Sequence, residues 1–436
     1  MKRNFLGAAL LAAMVWACGP AEKPKDSAVA DELAADYVKL VLRVGRYDGD
    51  VVDAYYGPEE WKPSPLPAAD SVFPAQQMAQ EAAELQAKLD ALVEEGKMDE
   101  RRAFMMGKQL KALHTKIRMM GGVEMSFDEE AMALYDAEPP NYSQAHFDSL
   151  LHQLDSLVPG EGPLSERFVA YVEGFIIPKD RLDTVFQTAI SEARKRTNAV
   201  MQLPEDEEFV LEYVNDKSWS GYNYFQGGHA SLIQINTDFP IFIERAIDLA
   251  CHEGYPGHHV YNTLLEMNLV ETKGWKEFSV YPLFSPQSLI AEGSANYGID
   301  VAFPGEERMK YEAEVLFPLA GLDPTEAPRY HAIQGLRHDL NYANNEAARL
   351  YLGGRIDRDS AAQWLETYLL YEPDRALQRT RFIDQYRAYV INYNLGQDLV
   401  ADWVSRNGGT ADQPARRWEV FQMLLSNPYT ASLLQE

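Results

Sequence analysis

Three of the chain's nine histidines lie within eight residues, and a glutamate directly follows the first of them. The segment reads Cys251-His252-Glu253-Gly254-Tyr255-Pro256-Gly257-His258-His259. Neutral imidazole is a good zinc ligand, and a carboxylate beside a zinc-bound water can act as a general base. The pattern therefore predicts a hydrolytic zinc site, with His252 as one ligand and Glu253 as the base.

The spacing of these histidines excludes an unbroken helix as the metal-binding element. In a regular helix, His252 would be separated from His258 or His259 by roughly 9–10 Å along the axis. Two nitrogens that bind one zinc ion are at most about 4 Å apart. Pro256 lacks an N–H and clashes with the carbonyl of the residue four before it, which is His252. We therefore expect a break at Pro256 that returns His258, or alternatively His259, to the side of His252.

A catalytic zinc site usually has a third protein ligand and leaves its fourth position open. The candidate is Glu292, which falls two turns into a helix that Ser285 caps and Pro286 begins. A lone glutamate is normally a surface residue, but beside a histidine cluster we interpret it as a ligand. Asp248 lies one turn before His252, where it either orients that histidine through its second nitrogen or faces solvent.

These motifs resemble those of a large bacterial family of predicted zinc peptidases, classified as a domain of unknown function, with the signature H-E-x-x-P-G-H-H. The family's E-G-x-A-x-Y is matched from Glu292 onward, and its S-Y-x-x-G corresponds to Asn392-Tyr393-Asn394-Leu395-Gly396, with asparagine in place of serine. The resemblance covers residues 205 to 400, approximately. It implies a fold similar to that of the glutamate-zincin metallopeptidases, with Zn²⁺ as cofactor, Glu253 as base and Glu292 as ligand. It also gives Tyr393 the role of donating a hydrogen bond to the developing oxyanion.

The elements that must position these residues are mainly helices. Amphipathic patterns predict an N-terminal helical lobe over residues 29–204, and residues 205–436 form the predicted catalytic lobe. Alternating segments at 208–214 and 230–237 predict a small antiparallel β-sheet beside the active-site helix. We therefore predict a mainly α, large two-lobed helical fold of the metallopeptidase-like kind. An edge of the sheet would pair with extended backbone, which favours a peptide as substrate.

The start of the chain predicts export. Residues 1–17 combine two early cations with an apolar run, which is typical of a signal peptide and too short for a membrane span. The sequence Val15-Trp16-Ala17-Cys18 resembles the lipobox of bacterial lipoproteins, so we expect a lipidated Cys18 followed by a tether over residues 18–28. The protein would then be lipid-anchored in the cell envelope, facing the periplasm, with membrane attachment only through Cys18. Ordinary cleavage nearby, leaving Cys18 as a free thiol, is the alternative.

Composition and charge narrow the choice of partners. A hydrophobic content of 46% and a charged content of 24% are ordinary for a globular protein. The formal net charge of −26 argues against binding to nucleic acid. The chain has two cysteines, so a disulfide framework is excluded, and we expect Cys251 to be a buried core residue.

Together these observations predict a zinc metallopeptidase of the cell envelope. Zinc held by His252, His258 and Glu292 would acidify water and polarise the substrate carbonyl. Glu253 would accept the water proton and deliver it to the leaving amine, and Tyr393 would stabilise the oxyanion. Two alternatives stay open: a metal-dependent hydrolase of a non-peptide amide or ester, and a non-catalytic envelope binding lipoprotein. The sequence does not determine the substrate sequence, the choice between endo- and exopeptidase action, or the oligomeric state.

Overall fold

The computed structural model of the protein describes residues 26–65, 72–217 and 219–436. The predicted signal peptide, Cys18 and most of the predicted tether lie outside these residues. Asp26, which falls within the predicted tether, already contacts the folded chain. Its carboxylate accepts hydrogen bonds from the backbone N–H of Asp99 at 2.8 Å and from Nε1 of Trp275 at 2.7 Å. In the described ranges, no helix is both long enough and apolar enough to cross a membrane.

Up to residue 198 the described chain is almost entirely helical. The elements are α1 (Ala28–Val44), β1 (Val52–Tyr55), α2 (Ala75–Glu94), α3 (Glu100–Met120), α4 (Phe127–Tyr135), α5 (Gln144–Leu157), α6 (Leu164–Val172) and α7 (Leu182–Asn198). Helix α1 begins where the Ser27 side chain accepts a hydrogen bond from the backbone N–H of Ala30, as an N-cap residue does. It buries one apolar side, which includes Leu33, Tyr37 and Val41.

The predicted small β-sheet is present, but its strands are not all antiparallel. Its strands are β2 (Glu208–Val214), β3 (Gly221–Gly227) and β4 (Ala230–Asn236), in the order β2-β4-β3. A tight turn at Gly228 and His229 makes β3 and β4 an antiparallel hairpin. Strand β2 pairs with the other edge of β4, and because both run opposite to β3, that pairing is parallel. The antiparallel prediction is therefore wrong for β2, because alternation of side chains does not specify which neighbour a strand pairs with.

The remainder of the chain is again mainly helical. Its helices and one strand are α8 (Glu244–Leu249), α9 (His258–Leu265), β5 (Val280–Pro282), α10 (Pro286–Ala302), α11 (Glu306–Tyr311), α12 (Phe317–Ala320), α13 (Ala327–Leu340), α14 (Tyr342–Leu352), α15 (Arg358–Leu369), α16 (Pro373–Tyr386), α17 (Ile391–Arg406), α18 (Pro414–Leu425) and α19 (Ala431–Gln435). Strand β5 pairs antiparallel with the distant β1. The structure thus confirms the predicted mainly α fold with a small β-sheet.

Buried side chains from both predicted lobes contribute to one continuous hydrophobic core. A buried ion pair also joins the two parts: Nε of Arg102 on α3 lies 2.7 Å from Oε1 of Glu277, just before β5. The proposed division into lobes at residues 204 and 205 stays a prediction.

Helix α10 lies at the centre of this core and crosses α17 at close range. Nearly every one of its residues is buried, which is the property of a helix surrounded by protein on all sides. At the crossing, a Cβ atom on Gly293 would lie 2.3 Å from the carbonyl carbon of Gly396. Only glycine at position 293 permits this approach, which brings Glu292 on α10 and Tyr393 on α17 to the same part of the molecule.

We predict that Gly293→Ala destabilises the protein by about 1–3 kcal/mol, because the added methyl group must separate α10 from α17. Urea denaturation measures the effect. The matched control is Gly335→Ala on α13, where a Cβ would meet no atom within 4 Å. That change is expected to be neutral or to stabilise by up to about 1 kcal/mol. Equal stability of the two variants would contradict the tight crossing.

Candidate metal centre

His252 and Glu253 lie on a widened helical turn. Helix α8 continues as a π-helical turn over Ala250–Gly254, and the backbone N–H of Tyr255 donates to the carbonyl of Ala250 at 3.0 Å. The chain then leaves the helix, since Tyr255 is extended. Single π-helical turns are frequent at functional sites because they reorient side chains within a helix. The expected break therefore falls directly before Pro256.

Gly257 lets the chain return to His252 after this break. A Cβ atom on Gly257 would lie 1.9 Å from the carbonyl oxygen of His252, so no larger residue fits this conformation. Helix α9 begins at the next residue, and Nε2 of His258 lies 3.2 Å from Nε2 of His252. The broken helix thus achieves what a regular helix cannot, which is to bring two side chains six residues apart to one point.

Glu292 reaches the same point from the central helix α10. Its Oε2 atom lies 3.2 Å from Nε2 of His252 and 3.6 Å from Nε2 of His258. Two ligands of a tetrahedral zinc ion, each at about 2.0–2.1 Å, are separated by about 3.3 Å. Oε2 of Glu292 is buried and has no hydrogen-bond partner in the described structure. Because buried polar atoms normally have partners, this carboxylate oxygen and the two imidazoles fit a shared metal ion.

Two further side chains orient these ligands. Nδ2 of Asn296 donates to the carbonyl of Tyr393 at 2.7 Å, which fixes the amide so that its Oδ1 lies 2.9 Å from Nδ1 of His252. His252 must therefore carry its proton on Nδ1, which leaves the lone pair of Nε2 free for a metal. The hydroxyl of Tyr389 donates to Oε1 of Glu292 at 2.7 Å, so that Oε2 is the oxygen turned toward the histidines.

The site carries strong charge interactions even without a cation. Burial alone would lower the pKa of His258, but the negative carboxylate of Glu292 close to its ring raises it to about 9. Burial alone would raise the pKa of Glu292, but the imidazoles of His252 and His258, which lie 3.2 Å and 3.6 Å from its Oε2, hold it well below its usual range. In the metal-free chain, a protonated His258 would therefore balance part of the negative charge of Glu292.

The three candidate ligands line a cavity of about 1130 Å³ that also contains Glu253 and Tyr393. The Glu253 carboxylate lies against strand β3, where a Cβ on Gly221 would be 2.9 Å from its Oε1. Asn223 of the same strand donates to the backbone carbonyl of Glu253 at 2.7 Å. The structure therefore brings both predicted catalytic residues and the candidate ligands to one solvent-filled space, of the size that binds small molecules or peptides.

His259 does not belong to this group, which excludes the alternative ligand. It is fully buried, and its two ring nitrogens are already engaged. Nδ1 lies 2.9 Å from Oγ of Ser231, and Nε2 lies 2.9 Å from Oε2 of Glu207. Cys251 is also fully buried, as expected of a core residue.

The spacing of residues left open whether Asp248 orients His252 or faces solvent, and it did not reveal the tyrosine that orients Glu292. Asp248 pairs instead with two arginines, Arg245 at 3.3 Å and Arg308 at 2.8 Å. Asn296 carries the orienting role, and its position four residues after Glu292 was a usable signal. Tyr389 precedes Tyr393 by four residues, but its contact with Glu292 depends on the packing of two distant segments.

Comparison with known proteins supports the fold. No protein-family model and no curated protein matches the chain. Among solved structures, it is similar to a protein described as the "putative lipoprotein from Colwellia psychrerythraea", with 14% sequence identity and a TM-score of 0.52. That alignment covers 82% of this chain and 75% of the other. A structure described as "BsuCP Crystal Structure" aligns over 91% of this chain and 88% of its own, with 11% identity and a TM-score of 0.38. The first likeness shows a shared fold, and the second is too weak to support an argument.

We predict that Gly257→Ala abolishes tight zinc binding, because the new methyl group would collide with the carbonyl of His252 and displace His258. Elemental analysis of the purified protein measures bound zinc. The matched control is Gly254→Ala in the same segment, where a Cβ would meet only the Phe209 ring at 3.5 Å, an ordinary contact. Zinc retained in Gly257→Ala, or lost equally in both variants, would contradict this account of the break.

The raised pKa of His258 predicts a pH dependence of stability in the metal-free chain. The folded pKa of about 9 exceeds the ordinary value of 6.5, so the stabilisation is fully present below pH 6.5. It is lost as the pH rises through about 9, and the loss amounts to at most about 3 kcal/mol. Urea denaturation of the metal-free protein between pH 6 and 10 measures it, and His258→Gln should remove this dependence. A flat profile in the wild type would contradict the His258–Glu292 interaction.

Proposed function

We propose that this protein is a zinc-dependent peptide hydrolase of the cell envelope and belongs to the bacterial zinc-peptidase family that its sequence resembles. One observation carries the proposal. The buried Oε2 of Glu292 has no hydrogen-bond partner in the described structure, yet it lies 3.2 Å and 3.6 Å from the Nε2 atoms of His252 and His258. One divalent cation would satisfy all three atoms at once, and two imidazoles with a carboxylate suit zinc.

The number of candidate ligands favours a catalytic site over a structural one. Within the described part of the chain, no fourth histidine, cysteine or carboxylate joins the group. Structural zinc sites are usually closed by four protein ligands, whereas catalytic sites have three and keep one position open. The group also lines a large cavity, from which water and substrate have access.

In this proposal the metal would be held by His252, His258 and Glu292. Bound zinc supplies Lewis-acid chemistry, since it lowers the pKa of water and polarises a carbonyl oxygen. Glu253 accepts the proton of the attacking water and then delivers it to the leaving amine. The hydroxyl of Tyr393, on the wall of the same cavity, donates a hydrogen bond to the oxyanion that develops on the substrate.

A peptide substrate is supported by the position of strand β3. This strand is at the edge of its sheet, and residues 219–223 line the cavity next to Glu253. An extended peptide can add to such an edge through main-chain hydrogen bonds, and the pairing is independent of side-chain identity. This arrangement favours peptides over a compact non-peptide amide or ester.

The envelope location rests on the lipobox-like sequence at Cys18. A protein described as a lipoprotein has a similar fold, which agrees with this location. The same likeness also suits the second candidate, a non-catalytic binding lipoprotein. Glu253 favours the enzyme, because a binding protein gains nothing from a buried carboxylate beside its metal ligand.

We predict about one zinc ion per chain in the purified protein, lost in His252→Ala, His258→Ala and Glu292→Ala. Glu253→Gln should keep zinc and lower kcat for peptides by about 10²–10⁴-fold, because the general base is removed. Tyr393→Phe should also keep zinc and lower kcat by about 10²-fold. Elemental analysis and a mass-spectrometric assay with a peptide library measure these quantities.

The control for the tyrosine is Tyr213→Phe, whose hydroxyl donates to Asp183 outside the cavity and whose loss should leave kcat unchanged. Folded wild type that binds no supplied zinc would overturn the proposal. Zinc binding without hydrolysis of peptides would leave two alternatives, a hydrolase of a non-peptide amide or ester and a non-catalytic binding lipoprotein. A parallel panel of simple amides and esters separates the non-peptide hydrolase from the binding protein.

A further inference from the structure

Three arginines on the wall of the catalytic cavity have no carboxylate partner among the described residues. They are Arg337 on α13 and Arg375 and Arg379 on α16. Arg337 donates only to a neutral acceptor, Oε1 of Gln334, at 3.0 Å, and Nε of Arg379 donates to Oδ1 of Asn344 at 3.0 Å. In a chain with 66 acidic and 40 basic residues, carboxylates outnumber the cations that could pair with them.

Another arginine on the wall of the same cavity does pair with carboxylates. Arg308 lies on the cavity wall as well and contacts both Asp248 at 2.8 Å and Glu312 at 2.9 Å. Arg379, by contrast, is half-buried without a counter-charge, and burial lowers the pKa of its guanidinium. Leaving a positive charge desolvated and unpaired costs free energy, which a bound anion would offset.

The three arginines line one cavity, and two of them lie on the same side of one helix. Arg375 and Arg379 are one helical turn apart, so they project from the same side of α16. The guanidinium carbon of Arg375 lies 4.7 Å from the ring centre of Tyr371. Burial alone would raise the pKa of Tyr371, but the positive charges of Arg375, Arg379 and Arg337 lower it. All three arginines therefore act on one phenol of the cavity wall.

An unsatisfied amide adds a fourth donor. Nε2 of Gln334 is buried and has no hydrogen-bond partner in the described structure, while Oε1 of the same amide is fixed by Arg337. Gln334 lines the same cavity. A buried amide donor without an acceptor is rare in folded proteins, and beside three guanidinium groups it indicates that the missing partner is an anionic acceptor.

The arginine group is connected to the catalytic residues by a row of aromatic rings. The guanidinium carbon of Arg379 lies 4.3 Å from the ring centre of Phe382, which lies 6.5 Å from that of Tyr393. The ring of Tyr393 lies 5.8 Å from that of Tyr389, whose hydroxyl contacts Glu292. A ligand at the arginines would therefore occupy the same cavity as the candidate metal centre.

We propose that Arg337, Arg375 and Arg379 form a carboxylate-binding subsite, so that the substrate is a peptide with a free carboxylate close to the bond that is cleaved. This inference rests on the proposed hydrolase function and adds its substrate class. Guanidinium groups bind carboxylates through paired hydrogen bonds, which gives both affinity and orientation. Because the net charge of −26 repels anions at long range, a local cationic group is needed to hold an acidic substrate.

The test is calorimetric binding to the full-length protein carrying Glu253→Gln, loaded with zinc, so that bound peptides stay intact. The probes are acetylated alanine tetrapeptides in three forms: a free C-terminal carboxylate, a C-terminal amide, and an amide with one internal glutamate. We expect the free acid to bind at least about tenfold more tightly than the amide. Tight binding of the glutamate-containing amide instead would assign the subsite to an acidic side chain.

Substitutions identify the groups responsible. Arg379→Gln and Arg375→Gln should each weaken binding of the acid about tenfold or more and leave binding of the plain amide unchanged. Arg379→Lys keeps the charge without the paired hydrogen bonds and should have a smaller effect. The matched control is Arg381→Gln, an exposed residue of the same helix outside the cavity, which should change nothing.

The results that would overturn the proposed subsite differ from those that would overturn the proposed hydrolase function. Equal binding of acid and amide, no binding of any probe up to millimolar concentration, or an acid preference that survives in Arg379→Gln and Arg375→Gln would overturn the subsite. Zinc content and hydrolysis in the wild type would then still support the enzyme. Conversely, absence of zinc and of hydrolysis in the wild type, with an arginine-dependent acid preference retained, would overturn the hydrolase alone.

Discussion

The buried carboxylate of Glu292 is the constraint around which the structure is arranged. A carboxylate is costly to desolvate unless cations and hydrogen-bond donors surround it. Here one oxygen is satisfied by Tyr389, and the other is directed at two imidazoles. Placing this group at the centre of the protein requires α10 to be covered on all sides, which the close crossing with α17 at Gly293 achieves.

The site also requires that the helix carrying His252 end before Pro256. A regular helix places side chains six residues apart at different heights, so it cannot direct two of them at one carboxylate. The π-helical turn that carries His252 and the return of the chain at Gly257 together bring the two histidines to the same carboxylate. The orientation of His252 then depends on Asn296, which itself is held by the backbone of α17. The site thus couples α8, α9, α10 and α17, and it forms only when all four are packed.

The cavity combines two kinds of chemistry. Its wall contains the candidate metal ligands and Glu253, and it also presents guanidinium groups that form no ion pair among the described residues. Strand β3 contributes to the wall beside Glu253. A similar fold is shared with a solved protein at 14% identity, but a fold at that distance does not determine chemistry. The proposed function and the proposed carboxylate subsite therefore rest on particular side chains of this chain.

The sequence by itself determined the local features of the site. Proline chemistry and helical geometry predicted the break at Pro256, because a missing N–H and a steric clash act on neighbouring residues only. Amphipathic periodicity likewise predicted a mainly α fold, which the structure confirms. The side-chain alternation of β2 and β4 predicted strands but not their order, since alternation repeats in any pairing.

Only the tertiary structure decided between groups that are neighbours in sequence. His258 and His259 are adjacent, and their roles diverge because Glu207 and Ser231, both distant in the chain, engage the two nitrogens of His259. Tyr389 and the arginines of α16 gain their positions in the same way, from helices that meet after folding. Contacts between distant segments depend on how whole elements pack, and the spacing of residue types along the chain does not carry that information.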